Sequence, residues 1–258
     1  MLHESNAYPG KAVNMFAKKV DKVLVGFEDA KNRLEKAKEV VVTGTPTKVR
    51  KVEISEERKK EIYKELGINN KLPVVLVFGG SQGAQAINNA VRELIKDGKN
   101  EGYQMIWAAG PKQYEEVAKY FSENNMDIEK LENVKVLPYI YNMEEMMNIS
   151  DLFVCRSGAM TITEISIVGK PAIFIPLPSM SANRQEDNAR VLEKLGAASI
   201  ILNNELKSEN LAEEINKIVK DEKKMKKMGK LAEKIAPKDV EEKIYKEIKK
   251  TLKNRKQS

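Results

Sequence analysis

Two short glycine-containing segments of this 258-residue sequence have the composition of phosphate-binding turns. The first glycine turn, residues 79–84, has the sequence GGSQGA and directly follows the apolar run 73–78. The second glycine turn, residues 157–159, has the sequence SGA and comes just after the apolar run 152–155. Apolar residues recur at helical spacing after both turns. Small residues let a ligand approach the backbone, and the unpaired N–H groups of a helix start attract an anion.

Neither turn has the sequence of a common nucleotide-binding loop. GxGxxG, the dinucleotide-binding pattern, is absent from both, and so is the P-loop pattern GxxxxGK[ST]. An NAD-dependent oxidoreductase is therefore disfavoured, and each turn by itself indicates only a site for an anion.

A carboxylate follows the second glycine turn at a spacing that suits nucleotide binding. Glu164 lies about one turn inside the predicted helix, where it can accept hydrogen bonds from both hydroxyls of a ribose. The alternative is that Gly158 serves packing and that Glu164 is a solvated acid favoured by the helix dipole. From these residues alone, the two interpretations stay equally open.

The order of apolar runs predicts an α/β fold with a doubly wound parallel sheet. Strands are predicted over 22–27, 40–43, 73–78, 103–108, 134–137, 152–155, 171–176 and 197–202, with helical periodicity between most of them. Ligands of such sheets bind at the carboxyl ends of the strands. Ser81, Ile140 and the segment 157–164 fall at those ends, so we expect them to contribute to one site.

Segments rich in helix-breaking residues divide the chain. Residues 44–48, GTPTK, form a candidate hinge, and the Lys- and Glu-rich helices at the end are predicted to break near Gly229 and Pro237. We predict a partial Rossmann-like domain over 1–46, a ligand-binding domain over 47–236 and a basic helix over 237–258. Residues 3–10 are predicted to form a polar turn that no strand precedes. The strands beginning at Val23 and Val40 are then expected to lack partners for their remaining edges, which would leave residues 1–46 poorly ordered or aggregation-prone.

Composition excludes several classes of protein and site. One cysteine, Cys155, and one histidine, His3, rule out an internal disulfide, a cysteine-cluster metal site and a conventional histidine triad, so no metal or cofactor is expected. No secretory signal and no apolar run near the roughly 18 residues of a membrane span are present, which predicts a soluble cytoplasmic protein.

The net charge of +7 lies entirely in the C-terminal segment. Residues 221–258 contain 14 Lys and Arg against 7 Asp and Glu, and the rest of the chain is balanced at 31 of each. Such a segment can attract an anionic membrane surface or nucleic acid, or it can be a solvated helix face. Because few aromatic residues are interleaved with the lysines, no nucleic-acid partner is expected.

Five motifs together resemble the MurG family of bacterial glycosyltransferases. They are HESNAYPG, TGTPTKVR, VFGGSQGAQAIN, CRSGAMTITEI and the PLP…RQEDNA loop, and their order is that of the family. The resemblance covers essentially the whole chain. It implies a two-domain GT-B fold and an inverting, metal-independent enzyme of cell-wall peptidoglycan synthesis. Such an enzyme transfers N-acetylglucosamine from UDP-N-acetylglucosamine to lipid I, an undecaprenyl-linked acceptor, and forms lipid II at the inner face of the cell membrane.

The resemblance also implies roles for individual residues. Asn6 would contact the sugar across the cleft, Lys48 and Ser81 would serve the phosphates, and Ile140 would meet the uracil through its backbone. Glu164 would hold the ribose and Gln185 the sugar hydroxyls. The residues implied to line the nucleotide are Gly158, Ala159, Met160, Thr161, Ile162 and Thr163.

Three departures from the family pattern affect these expectations. Lys48 stands where many members have arginine, so the bidentate fork is lost, and Arg184 stands where many have histidine, so it receives no role. The family's N-terminal acceptor domain, with its glycine-rich loops, is largely missing, and no catalytic base is assigned. His3 has a structural interpretation as well as a catalytic one. The alternative to a complete transferase is a non-catalytic UDP-sugar-binding subunit that needs a separate acceptor-domain chain.

Overall fold

The computed structural model describes residues 1–69, 71–178 and 183–257, which form two parallel sheets surrounded by helices. The strands are β1 (Leu2–Glu4), β2 (Val23–Val25), β3 (Val40–Val42), β4 (Val74–Phe78), β5 (Gln104–Ala108), β6 (Val134–Leu137), β7 (Leu152–Cys155), β8 (Ala172–Phe174) and β9 (Ala198–Ile200). The helices are α1 (Lys11–Phe16), α2 (Glu28–Lys31), α3 (Glu56–Leu66), α4 (Gln85–Lys96), α5 (Tyr114–Glu123), α6 (Met143–Ile149), α7 (Ala159–Val168), α8 (Arg184–Lys194), α9 (Ser208–Val219), α10 (Glu222–Ala232) and α11 (Val240–Gln257).

The larger sheet has the strand order β6-β5-β4-β7-β8-β9, with all strands parallel. The predicted α/β class and doubly wound parallel sheet are confirmed. The chain moves outward from β4 to β6 and then returns to place β7 on the other side of β4. This reversal opens a crevice at the carboxyl ends of β4 and β7, where Phe78 and Cys155 are register partners.

Alternate residues of the central strand β4 explain why the sheet carries helices on both faces. Val75 and Val77 pack with α4, α5 and α9, whereas Val74, Leu76 and Phe78 pack with α3, α6, α7 and α8. All five are buried. A strand buried on both faces is almost wholly apolar, which is why its sequence predicted it correctly.

The smaller sheet corrects one sequence prediction. Leu2–Glu4 form strand β1 and pair in parallel with β2, so the order is β1-β2-β3 and β2 has a partner on each side. The expectations that no strand precedes residues 3–10 and that β2 lacks a second partner were wrong. Only three residues long and containing His3 and Glu4, β1 has too little apolar alternation to be recognised locally.

The break predicted near Gly229 was also wrong. Helix α10 continues through Gly229, and the helices separate instead at Lys220 and Asp221. A Cβ atom at Gly229 would lie 2.4 Å from the carbonyl oxygen of Gly169, so this glycine is required by close packing and does not end a helix. The break near Pro237 is present, because α11 begins at Val240.

Helix α11 returns to the smaller sheet. Glu247 of α11 forms a buried ion pair with Lys22, which directly precedes β2 and also pairs with Glu39 at 2.9 Å. Although burial of Lys22 opposes its charge, its hydrogen bonds to Glu247 and Glu39 prevail and raise its pKa. The end of the chain is thus tied to its beginning. Within the described ranges, no helix combines the length and the apolar character that crossing a bilayer requires.

Candidate functional site

A cavity of about 470 Å³ lies in the crevice at the carboxyl ends of β4 and β7. Both glycine turns line it: Gly79, Gly80 and Gly83 from the first, and Gly158 from the second. The side chains of Thr161, Gln185 and Asn203 supply polar lining. The two segments that the sequence singled out separately are therefore parts of one site.

The three glycines of the first turn are glycine for two different reasons. A Cβ atom on Gly79 would lie 2.3 Å from the amide nitrogen of Ala84, and one on Gly83 would lie 2.3 Å from the carbonyl oxygen of Ala109. Gly80 has φ +87°, but a Cβ atom on it would meet nothing within 4 Å, so its backbone faces open space. Gly79 and Gly83 are needed for packing, whereas Gly80 leaves the approach to the backbone clear.

Two helix N-termini point free N–H groups toward this cavity. Helix α4 begins after Ala84 and helix α7 begins after Gly158, and neither N-cap residue provides a side-chain hydrogen bond. Neither helix has an acidic residue in its first turn. The positive ends of both helix dipoles are thus left for a ligand, and together they form a suitable site for a diphosphate.

Arg156 is a site residue that the sequence alone did not single out. Its half-buried side chain lines the cavity and is the one charged side chain among the described lining residues. Nη1 donates to the carbonyl oxygens of Ile175 at 2.9 Å and Pro176 at 3.2 Å, and to Oδ1 of Asn203 at 2.8 Å. Burial lowers the pKa of the guanidinium, which stays protonated at neutral pH. The sequence signal that could have identified Arg156 is its position directly after the apolar run 152–155, because a cation there lies at the carboxyl end of a buried strand.

Glu164 is held by the segment that links the two sheets. Oγ1 of Thr47 donates a 2.8 Å hydrogen bond to Oε1 of Glu164. Burial raises the pKa of this carboxyl, and the hydrogen bond from Thr47 partly opposes that rise. Among the described residues Glu164 has no cationic partner within ion-pair distance. The interpretation as a freely solvated helix acid is therefore disfavoured.

Comparison with known proteins places the chain in a family. The profile of the glycosyltransferase family 28 C-terminal domain matches residues 74–256. A relative from Acetivibrio thermocellus is 40% identical over 256 residues, which are 99% of this chain and 67% of that protein. It is named UDP-N-acetylglucosamine–N-acetylmuramyl-(pentapeptide) pyrophosphoryl-undecaprenol N-acetylglucosamine transferase. The chain belongs to this MurG family of glycosyltransferases. A similarly named relative from Ruminiclostridium cellulolyticum is 35% identical over 98% of this chain and 68% of its own length.

Solved structures agree with the family. MurG of Acinetobacter baumannii superimposes with a TM-score of 0.74 at 26% identity, covering 96% of this chain and 66% of that one. A UDP-GlcNAc 2-epimerase of Neisseria meningitidis, solved with UDP-GlcNAc, superimposes with a TM-score of 0.65 at 16% identity over 95% and 66%. That second likeness shows a common fold alone. The chain spans about two thirds of the length of the MurG relatives it matches.

The site residues implied by the MurG resemblance lie in different environments. Gly158, Thr161 and Gln185 line the cavity, and Ala159 and Met160 are partly exposed beside it. Ile162 is fully buried in the core, and Oγ1 of Thr163 donates to the carbonyl oxygen of Ala159 within the helix at 3.0 Å. The side chains of Ile162 and Thr163 therefore serve the fold of α7, and a nucleotide contact there stays a prediction about their backbone.

Glu164 and four further residues lie outside the cavity lining. Lys48 and Ser81 are exposed, and Ile140 buries its side chain in the core, which agrees with a contact through its backbone only. Asn6 is half-exposed and hydrogen-bonded to Glu4 at the start of the smaller sheet. The roles predicted for these residues stay predictions.

The single histidine and the single cysteine of this MurG-family chain have structural environments. His3 Nε2 lies 3.1 Å from the carbonyl oxygen of Gly44, which links β1 to the hinge segment. Cys155 is fully buried, and burial raises the pKa of its thiol, which makes it a poor nucleophile. Among the described residues, no three His, Cys, Asp or Glu side chains cluster as metal ligands.

Proposed function

We propose that this chain binds UDP-N-acetylglucosamine in the cavity between β4 and β7 and serves its transfer to lipid I, which yields lipid II. The observation that carries the proposal is the convergence of two uncapped helix starts, of α4 and α7, on one cavity. The name of the two bacterial relatives gives N-acetylglucosamine as the group transferred and an undecaprenyl-linked acceptor.

Different residues of the site bind different parts of UDP-N-acetylglucosamine. The diphosphate lies between the N-termini of α4 and α7, with the guanidinium of Arg156 nearby. Glu164, whose Oε1 accepts from Thr47, uses Oε2 for the ribose hydroxyls. Gln185 is held by the 2.9 Å hydrogen bond that its Oε1 accepts from the Leu177 amide, so its orientation toward the sugar is set.

These groups account for departure of the leaving group. As the bond between the sugar and UDP breaks, negative charge grows on the diphosphate. Fixed N–H dipoles and a half-buried cation stabilise that charge without reorganising, because they already point at the cavity. The acceptor hydroxyl and the group that removes its proton come from the acceptor side of the cleft.

A second function is favoured by the smaller sheet. Its strands β1 and β3 have unpaired outer edges within the described residues, and parallel sheets are normally larger and covered. Tyr245, Ile248 and Leu252 also form an exposed apolar stripe on α11. A UDP-sugar-binding subunit that pairs with a separate acceptor-domain chain would explain both features.

The surroundings of the acceptor suggest where the protein works. An undecaprenyl-linked substrate is embedded in a membrane, and residues 221–258 carry the whole excess of positive charge. We therefore propose a peripheral protein at the anionic cytoplasmic face of the inner membrane. Flotation with anionic vesicles is expected at low salt and should be lost at high salt, because charges are screened within a Debye length of about 8 Å at physiological ionic strength. Flotation that survives high salt, or none at low salt, would contradict an electrostatic contact.

Calorimetry and turnover test the main proposal. UDP should bind and NAD should not, and a lipid I analogue should be glycosylated when a MurG acceptor domain is added in trans. Turnover by the chain alone would exclude the subunit alternative. Binding of UDP without turnover in either condition would leave a sugar-nucleotide-binding protein and overturn the transferase.

A further inference from the structure

Asn188 joins the two sheets through hydrogen bonds that allow its side-chain amide only one orientation. The residue lies in α8 and is fully buried. Its Oδ1 accepts from the amide of Ala7 at 2.8 Å, and its Nδ2 donates to the carbonyl oxygen of Ser157 at 3.2 Å. A backbone amide can only donate and a carbonyl can only accept, so the side-chain amide of Asn188 cannot be reversed.

The orientation of Asn188 determines that of Asn6. Nδ2 of Asn188 also donates to Oδ1 of Asn6 at 3.1 Å. On its other side, Nδ2 of Asn6 donates to Oε1 of the buried Glu4 at 2.9 Å. Reversing the amide of Asn6 would place its NH₂ group against the NH₂ group of Asn188, and its oxygen against a carboxylate. Both contacts would be repulsive.

The carboxylate of Glu4 stabilises the segment 6–10, which follows β1, through three hydrogen bonds. It accepts from the backbone amides of Asn6 at 2.9 Å and Gly10 at 2.6 Å, in addition to the Asn6 side chain. On the other side of the network, Oγ of Ser157 donates to the carbonyl oxygen of Gln185 at 2.7 Å. The network therefore begins in the smaller sheet and ends at the second glycine turn, beside the cavity.

We propose that Asn188 is a positioning residue which sets the side-chain amide of Asn6 so that its second Nδ2 hydrogen is offered to the donor sugar. One hydrogen of that NH₂ group is donated to Glu4, and among the described residues the other hydrogen has no acceptor. Asn6 is half-exposed, so a ligand can reach the remaining hydrogen. Asn6 then acts as a hydrogen-bond donor to a sugar hydroxyl. The inference rests on the proposed function, because it assumes UDP-N-acetylglucosamine in the cavity.

The decisive variant is Asn188→Asp, which keeps the acceptor for Ala7 but replaces the donor that faces Asn6 and Ser157. The quantity to measure is the sugar increment, which is the ratio of the dissociation constants for UDP and UDP-N-acetylglucosamine by calorimetry. We expect Asn188→Asp and Asn6→Ala each to reduce that increment by about three- to tenfold, as for the loss of one or two hydrogen bonds. Affinity for UDP should change little in Asn6→Ala, whereas Asn188→Asp also loses its hydrogen bond to Ser157 and is therefore judged by the sugar increment. Asn14→Asp, at an exposed asparagine of α1 that donates to the carbonyl oxygen of Pro9, is the matched control.

A double variant separates positioning from a structural role. If Asn188 acts through Asn6, then Asn188→Asp should leave the sugar increment unchanged in an Asn6→Ala background. Equal loss of UDP and UDP-N-acetylglucosamine affinity in Asn188→Asp, or additive effects in the double variant, would overturn the proposal. Failure of the wild-type chain to bind UDP would instead overturn the proposed function.

An experiment on the wild-type chain covers the case in which Asn188→Asp does not fold. The side-chain NH₂ signals of Asn6 and Asn188 can be followed by ¹H–¹⁵N NMR during titration with UDP and then with UDP-N-acetylglucosamine. Both should shift with the sugar nucleotide and stay nearly unchanged with UDP. The proposal would be contradicted if the Asn6 signals did not shift on addition of UDP-N-acetylglucosamine, or if they already shifted with UDP.

Discussion

Oγ1 of Thr47 donates a 2.8 Å hydrogen bond to Oε1 of Glu164, and this contact ties the segment between the two sheets to helix α7. The two residues are 117 positions apart in the sequence. Thr47 occupies one oxygen of the carboxylate, and no described residue donates a hydrogen bond to the other, which can therefore accept from a ligand. The linker therefore orients the residue proposed to hold the ribose.

Replacing Glu164 should weaken nucleotide binding. Glu164→Ala removes a charged acceptor, and such hydrogen bonds contribute about 1.5–3 kcal/mol, or about 10–150-fold in the dissociation constant for UDP. Calorimetry with UDP measures the loss. Glu213→Ala, at an exposed acid of α9 that pairs only with the exposed Lys217 among the described residues, is the control. An unchanged UDP affinity in Glu164→Ala would mean that Glu164 does not contact the nucleotide.

Binding of UDP should weaken at acidic pH through Glu164. Burial raises the pKa of this carboxyl above its usual 4.5, so it becomes protonated, and loses acceptor capacity, at a higher pH than a surface glutamate. Thr47→Val removes a hydrogen bond that favours the ionised form and should move the loss of affinity to still higher pH. Thr47→Ser keeps the hydroxyl and should behave like the wild type. The measurement is UDP affinity as a function of pH in each variant. Identical profiles for Thr47→Val and Thr47→Ser would show that the hydrogen bond from Thr47 does not affect the protonation of Glu164.

Glu164 makes the pH dependence of folding stability opposite in direction to that of UDP affinity. Since its pKa is raised by folding, the native chain binds more protons than the unfolded chain between the unfolded and folded pKa values. Glu164 thus makes folding less favourable as pH rises through that window.

Gly80 should matter for the diphosphate more than for the nucleoside. Gly80→Val places a side chain at φ +87° where the backbone faces open space, so it should both strain the turn and block the approach of phosphate. Ser81→Ala removes one exposed hydroxyl and should cost less. UDP affinity should fall more than uridine affinity in Gly80→Val. Gly98→Val is the matched control, because Gly98 has φ +64° with nothing within 4 Å and lies at the end of α4, away from the cavity. Equal losses for UDP and uridine would place the phosphates elsewhere.

The ion pair between Lys22 and Glu247 should stabilise the smaller sheet. Glu247→Ala leaves the buried ammonium of Lys22 with Glu39 alone, so the expected loss is about 2 kcal/mol, below the roughly 3–5 kcal/mol for a buried pair that loses its only partner. Thermal unfolding measures it. Glu242→Ala, which removes only the exposed pair with Lys246, should have little effect.

The hydrogen bond from Lys22 lowers the pKa of Glu247, so this stabilisation also depends on pH. It is present above the unfolded pKa of a glutamate and is lost as pH falls through the lower, folded value. Equal stability of Glu247→Ala and the wild type at neutral pH would show that α11 is not anchored at Lys22.

The sequence by itself determined the features that depend on neighbouring residues. The apolar runs of β4 and β7 predict strands buried on both faces, and Gly169 marks the end of α7 in the left-handed conformation at φ +71°. The two glycine turns are visible because each directly follows such a strand. Helix α3 likewise begins just after Ser55, whose hydroxyl accepts from the amide of Arg58 at 3.2 Å, and serine is among the residue types that favour this capping position.

Only the tertiary structure decided how distant segments meet. Strand β1 is too short to show a period, and it exists because β2 offers it a hydrogen-bonding edge. The contact from Thr47 to Glu164, the link from Asn188 to Asn6 and the return of α11 to Lys22 join residues 117, 182 and 225 positions apart. Such contacts depend on where the folded backbone places each residue, and no local pattern of residue types records that placement.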